Sequence, residues 1–142
     1  MRKWSKQTMR GKQQRIIPAG TQAIYDHYHF APAIRVGDMI WISGQVGIDE
    51  NFVAGKDMAM QARLAFEAIR KTLETAGAGL GDIVELMTFH TDLRGEMAEF
   101  TKVKDSYFPR SYPCWTAVGV TQLAAPEYKV EIRVVAFAGS AG

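Results

Sequence analysis

One acid stands in the last apolar strand of this chain. Glu131 lies within Tyr128-Lys129-Val130-Glu131-Ile132-Arg133-Val134-Val135-Ala136, a run otherwise apolar and basic. A carboxylate in a partly apolar cleft is pushed toward neutral pKa and can then orient or deprotonate a water. Period-two alternation puts Lys129, Glu131 and Arg133 on one strand face, so an ion pair with either cation is the competing structural role. About one connection earlier runs Pro113-Cys114-Trp115-Thr116-Ala117-Val118-Gly119-Val120, whose Trp115 is expected to face Glu131. An indole there offers a π-face to a flat ligand, an apolar ligand or a cation; the alternative is an indole that plugs the cleft. Cys114 has no His or acid beside it in sequence, which argues against a nucleophile. His27 and His29 alternate as metal ligands on a strand could. No third ligand stands near them, and no metal or other cofactor is expected.

These residues need a sheet to hold them. A chain of 142 residues suits one domain, and its 47% apolar and 23% charged content is that of a soluble globular protein. No apolar run reaches the ~20 residues needed to span a bilayer. No apolar segment follows the basic N-terminus, so no signal peptide is expected. The lone Cys114 fits a reducing compartment, and a cytoplasmic location is expected. The net charge of +2 hides an asymmetry. Residues 1–15 hold Arg2, Lys3, Lys6, Arg10, Lys12 and Arg15 and no acid, whereas the other 11 Lys/Arg face all 15 Asp/Glu, a balance of −4. Residues 1–15 are therefore read as a basic, flexible arm, and 16–142 as a single domain. A basic arm can bind nucleic acid, but the acidic body weakens that reading.

Ile16-Ile17-Pro18 suits an edge strand, because proline cannot donate to a ladder. Residues 23–30 precede Pro32 and read as extended or looped. Ala33–Val36, a Gly37-Asp38 turn and Met39–Ser43 read as a hairpin. Gly44 then lets a backbone or ligand approach closely. Ala62, Ala65, Phe66, Ile69, Leu73 and Ala76 recur at helical spacing, which predicts a helix over 57–76. A strand over 83–91 and a helix over 96–108 follow; Met97, Phe100, Val103 and Tyr107 form the helix's apolar stripe, and Pro109 stops it. Two closing strands are expected near 114–122 and 128–138. The natural packing is an α+β layer, one sheet with two helices on one face.

The chain resembles the RidA/YjgF/YER057c family. The likeness rests on Arg35-Val36-Gly37-Asp38 with Ile42-Ser43-Gly44-Gln45-Val46, on Gln61-Ala62-Arg63 with Leu73-Glu74-Thr75-Ala76-Gly77, on Leu80-Gly81-Asp82-Ile83-Val84, Thr91-Asp92-Leu93 and Tyr107-Phe108-Pro109, and on Lys129-Val130-Glu131-Ile132. It implies a chorismate-mutase-like fold, one mixed sheet with two helices on one face. It also implies a homotrimer with small-molecule clefts between subunits and hydrolysis of enamines and imines; from the apolar runs, no membrane partner is expected. Some members are described as ribonucleases or translation inhibitors; nucleic acid is not the expected partner here.

Deaminating members of that family carry an Arg two residues after the proline, where this chain has Trp115. Ala117 stands where they have Cys, Gly119 where many have an acid, and Phe30 where they have Tyr. Gly44 matches, as does Glu131, which in those members positions the attacking water. The resemblance thus implies Glu131 as the catalytic residue and Phe30, Gly44, Trp115 and Ala117 as ligand contacts. Three classes stay open: a C–N hydrolase of altered specificity, a ligand-binding trimer without turnover, and an RNA-directed protein.

Overall fold

Apolar periods of two and of 3.6 sort the chain into one sheet and its helical cover. The computed structural model describes residues 12–139. Its elements are β1 (Gln14–Ile16), α1 (Gln22–Tyr28), β2 (Ala33–Val36), β3 (Met39–Val46), α2 (Met58–Thr75), a 3-10 turn (Leu80–Asp82), β4 (Ile83–His90), α3 (Leu93–Tyr107), β5 (Cys114–Gly119) and β6 (Val130–Phe137). The six strands lie in the order β1-β2-β3-β6-β4-β5. All neighbours are antiparallel except β4 and β5, which run parallel with α3 as their crossover. The sheet is therefore mixed, as expected.

The core fills the space between the sheet and α2 and α3. Ala62, Ala65, Phe66, Ile69 and Leu73 of α2 are fully buried together with Ile40, Ile132 and Ala136 of the central strands. Burying a side chain such as Phe66 or Leu73 contributes about 1.5–3 kcal/mol. Asp57 caps α2 by accepting from Met60 N at 2.9 Å, and Asp92 caps α3 by accepting from Gly95 N at 3.2 Å.

Three expectations need correction. Residues 23–30 are not extended: α1 occupies Gln22–Tyr28 and ends on His29 in the left-handed region, φ 61°. Pro32 constrains only the residue before it, so a helix stopping at Tyr28 is free of it. His27 thus sits on a helix and His29 on its cap, not on alternating strand positions. Next, α3 begins at Leu93, three residues before the expected 96, because Asp92 supplies the cap. Finally, the expected edge strand falls at Gln14–Ile16 and pairs with β2; residues 1–11 of the basic arm lie outside the described residues. Among those described, no helix is long and apolar enough to cross a membrane.

One polar residue inside the core ties three segments together. Gln61 is 1% exposed. Its Nε2 donates to Gly55 O and to Glu127 O, each at 2.9 Å, and its Oε1 accepts from Lys129 N at 2.8 Å. The first turn of α2 is thereby bonded to the loop after β3 and to the segment entering β6. A Cβ on Gly47 would collide with the Gln61 backbone, so the loop lies flush on the helix. Gln61→Leu leaves three backbone groups unpaired and is expected to lower unfolding free energy by about 2–4 kcal/mol in urea titration. A variant within 0.5 kcal/mol of the parent, roughly the scale of a neutral surface change, would refute this clamp.

Candidate functional site

The sheet has two faces of different chemistry. On β6, Val130, Ile132, Val134 and Ala136 are buried under the helices, and Glu131, Arg133 and Phe137 point to the helix-free face. Glu131 lies opposite Val46 of β3 and Phe89 of β4. Its carboxylate rests directly on Gly44, where any Cβ would overlap Oε2. Between Ile42 and Gln45 the ladder takes three steps along β3 against two along β6, a β-bulge. The bulge is pinned from outside: Ser43 N donates to Pro32 O at 2.9 Å and Ser43 Oγ to Ala31 O at 2.7 Å.

Glu131 is half-buried, and burial pushes its carboxyl above the ordinary 4.5. Neither same-face cation neutralises it. Lys129 Nζ lies 3.5 Å from Glu96 Oε2, and Arg133 Nη2 lies 3.7 Å from Glu85 Oε1. The same-strand ion pair that competed with a cleft role in the sequence is not formed.

Trp115 does not face Glu131, and this corrects the expectation. In the parallel β4–β5 ladder Trp115 lies beside Leu86 and Ala117 beside Thr88, both on the helix-facing side. Trp115 Nε1 donates to Thr88 Oγ1 at 3.0 Å, which also lies 2.7 Å from His90 Nε2. The Phe100 ring sits 6.0 Å from the indole, and Lys104 Nζ lies 4.6 Å above the indole centroid. The indole is thus anchored by a hydrogen bond and a cation–π contact. His90 is fully buried with Nδ1 unpartnered among the described residues, and burial lowers its pKa below 6.5.

Gly44 lies against Glu131, and Phe30 adjoins Ala31, whose carbonyl accepts from Ser43 Oγ beside Gly44. Phe30 is 45% exposed and lines a cavity of about 350 Å³ with Arg15, Tyr25, Ala31 and Ile34. Ala31 and Ile34 also line a second cavity of about 400 Å³ that contains Trp41, Ser43 and Arg133. The two cavities share Ala31 and Ile34, and Ser43 of the second adjoins Gly44, against which the Glu131 carboxylate rests. Trp41, 44% exposed, adds an aromatic surface to this face. Strand alternation against buried Ile40 and Ile42 could have revealed it.

The endoribonuclease L-PSP family model matches residues 20–138 of this chain. The chain belongs to that family. It is 40% identical over 122 residues to the RutC family protein YjgH of Escherichia coli, covering 85% of this chain and 92% of that protein. The solved structure of protein YjgH matches with a TM-score of 0.81 at 39% identity, over 88% and 95% of the two chains. Rv2704 of Mycobacterium tuberculosis, a member of the YjgF/YER057c/UK114 family, matches with a TM-score of 0.78 at 28% identity, covering 89% of this chain and 99% of that one. Escherichia coli TdcF, solved with bound serine, matches at 0.72 and 28% identity over 76% and 87%. The resemblance carried by the motifs is the family of the chain.

Two variants test this geometry. Gly44→Ala drives a methyl into the carboxylate and is expected to cost about 1–3 kcal/mol of stability. Glu131→Ala should relieve that loss in the double variant, giving strong non-additivity in a denaturation cycle. Glu131→Gln tests the pKa. Because the folded protein holds the proton more tightly than the unfolded chain, the parent loses stability as pH rises from 4.5 through the raised folded pKa. The Gln variant lacks that loss, so its melting temperature should exceed the parent's at pH 8 and converge with it below pH 4.5. A gap that is constant with pH would contradict this assignment.

Proposed function

We propose that the protein is a homotrimeric hydrolase of small imines and enamines, with clefts between subunits and Glu131 as the residue that orients water. The observation that carries this reading is Glu131 itself, a half-buried carboxylate of raised pKa, free of its neighbouring cations, on a solvent-accessible face. That face also presents Trp41 and Phe137 at the surface beside half-buried Met39, Met87 and Phe89. A helix-free sheet face of this character is suited to cover by other subunits. Trp115 and Glu131 occupy opposite faces of one sheet, so a single cleft containing both requires one from each of two neighbouring subunits. A relative that binds serine supports a ligand of amino-acid size.

The chemistry proceeds in two steps. Water adds to the protonated C=N carbon while Glu131 takes its proton, giving a carbinolamine. Glu131 then returns that proton to nitrogen; the C–N bond breaks, the carbonyl forms, and the hydroxyl proton leaves with ammonia as ammonium. A carboxylate of raised pKa suits both directions of transfer.

A second reading, a ligand-binding trimer without turnover, is favoured by Trp115, which holds the position of the deaminating members' arginine and is bonded into the core. Ammonia release from imines generated in situ by an amino-acid oxidase separates the two. The hydrolase is expected to accelerate release, and Glu131→Gln to lower kcat by about 10²–10⁴-fold. No acceleration by the parent supports binding alone. Sedimentation velocity is expected to give a trimer.

A further inference from the structure

We propose that His90, Thr88 and Trp115 form an acid-sensitive latch on the edge strand β5, closed while the imidazole is neutral and released when it takes up a proton. The latch goes beyond the hydrolase reading. Its three groups lie on the helix side of the sheet, away from Glu131.

Packing holds β5 weakly. The strand ends the sheet and is bonded only to β4, and none of its six residues is fully buried. Among the described residues its one side-chain hydrogen bond runs from Trp115 Nε1 to Thr88 Oγ1 at 3.0 Å. That oxygen lies 2.7 Å from Nε2 of the fully buried His90. The attachment of β5 to the core therefore ends on a titratable ring.

With a neutral ring the chain has one direction. An indole N–H can only donate, so Thr88 Oγ1 accepts from it. The Thr88 hydroxyl then turns its own proton to His90 Nε2, and the ring proton sits on Nδ1. This tautomer leaves one polar group unpaired, the Nδ1–H. The other leaves two, a bare Nδ1 and a Thr88 proton without an acceptor.

A second proton on the ring reverses the order. Nε2 must then donate to Thr88 Oγ1, and the Thr88 proton loses its acceptor. The ring becomes a buried cation, and no carboxylate is placed to meet it. On α3, Lys104 is itself a cation over the indole, paired with Asp105, and Glu96 is paired with Lys129 from the segment entering β6. Cys114 of β5 is exposed, and Glu131 of β6 lies on the opposite face. Burial accordingly lowers the His90 pKa below 6.5. The closed latch sheds a proton that the opened one binds, so its stability is complete above pH 6.5 and falls as pH drops below it. The opening that exposes least core peels β5 from β4 and lets water reach the ring.

The test uses the full chain, labelled with nitrogen-15. Long-range histidine NMR spectra at pH 7.5 are expected to show His90 neutral with its proton on Nδ1, its signals being those absent from His90→Gln. An Nε2–H tautomer or an imidazolium at that pH overturns the proposal. Backbone amide exchange at pH 7.5 and 5.5, corrected for intrinsic rates, reads the strand. At the lower pH β5 is expected to lose protection by up to about tenfold, the limit set by one pH unit below 6.5, while β3 and β6 keep theirs. Thr88→Val should remove most of that protection already at pH 7.5. His90→Gln, whose amide oxygen can still accept from Thr88 and does not titrate, should keep it at both pH values. Equal loss across β3, β5 and β6 overturns the latch and leaves His90 an ordinary core group. So does unchanged β5 protection in the parent at pH 5.5, or in a folded Thr88→Val variant. Glu131→Gln should retain the β5 response; a response lost in that variant assigns the titration to Glu131 and overturns the proposal.

Discussion

A carboxylate can lie flat against a β-strand only where that strand carries no Cβ. Gly44 meets this condition, and the Glu131 side chain fills the volume any other residue would claim. The surrounding irregularity has the same cause. The ladder takes an extra residue at Ser43-Gly44, and Ser43 is held there by the chain that enters β2. Ala31 and Pro32 are thereby fixed beside the bulge, and Ala31 lines the adjoining cavity. With Val46 and Phe89 flanking it, the carboxylate loses water without gaining a cation. Local backbone geometry and local electrostatics are one arrangement.

Much of the architecture could be read from residue pattern. The α2 stripe from Ala62 to Ala76 is buried as its spacing demands, and Asp57 and Gly77 bracket it. The β2–β3 hairpin follows from Gly37, which adopts φ 58° at its turn. By contrast, α1 buries no side chain and so leaves no apolar stripe, and its segment reads as extended. Within the site, Gly44 and Glu131 were legible because they sit in family motifs. The face of Trp115 was not. Alternation fixes which residues of one strand share a side, but the side relative to another strand depends on register, and that is set by β4 lying between β5 and β6. Trp41 and Arg133 required the same cross-strand knowledge.

The two faces of the sheet divide the labour. The helix-facing side gathers the core with a neutral polar chain, Trp115 to Thr88 to His90, closed off by Phe100. The other side gathers the ionisable groups that are not tied to helices. Glu85 and Arg133 are weakly paired at half exposure, and Glu131 stands alone at greater depth. Such separation lets the charge pattern of the open side vary without disturbing packing beneath it, which fits a fold whose members need share little beyond their layers.

The anchored indole also constrains what this lineage can become. An arginine introduced at position 115 would place a guanidinium within a few ångströms of the Lys104 ammonium and take from Thr88 its indole hydrogen-bond donor. Exchanging that single position would cost stability unless Lys104 changed first. Change at this strand residue is therefore tied to a second site on α3, and the order of substitutions decides whether the exchange is tolerated.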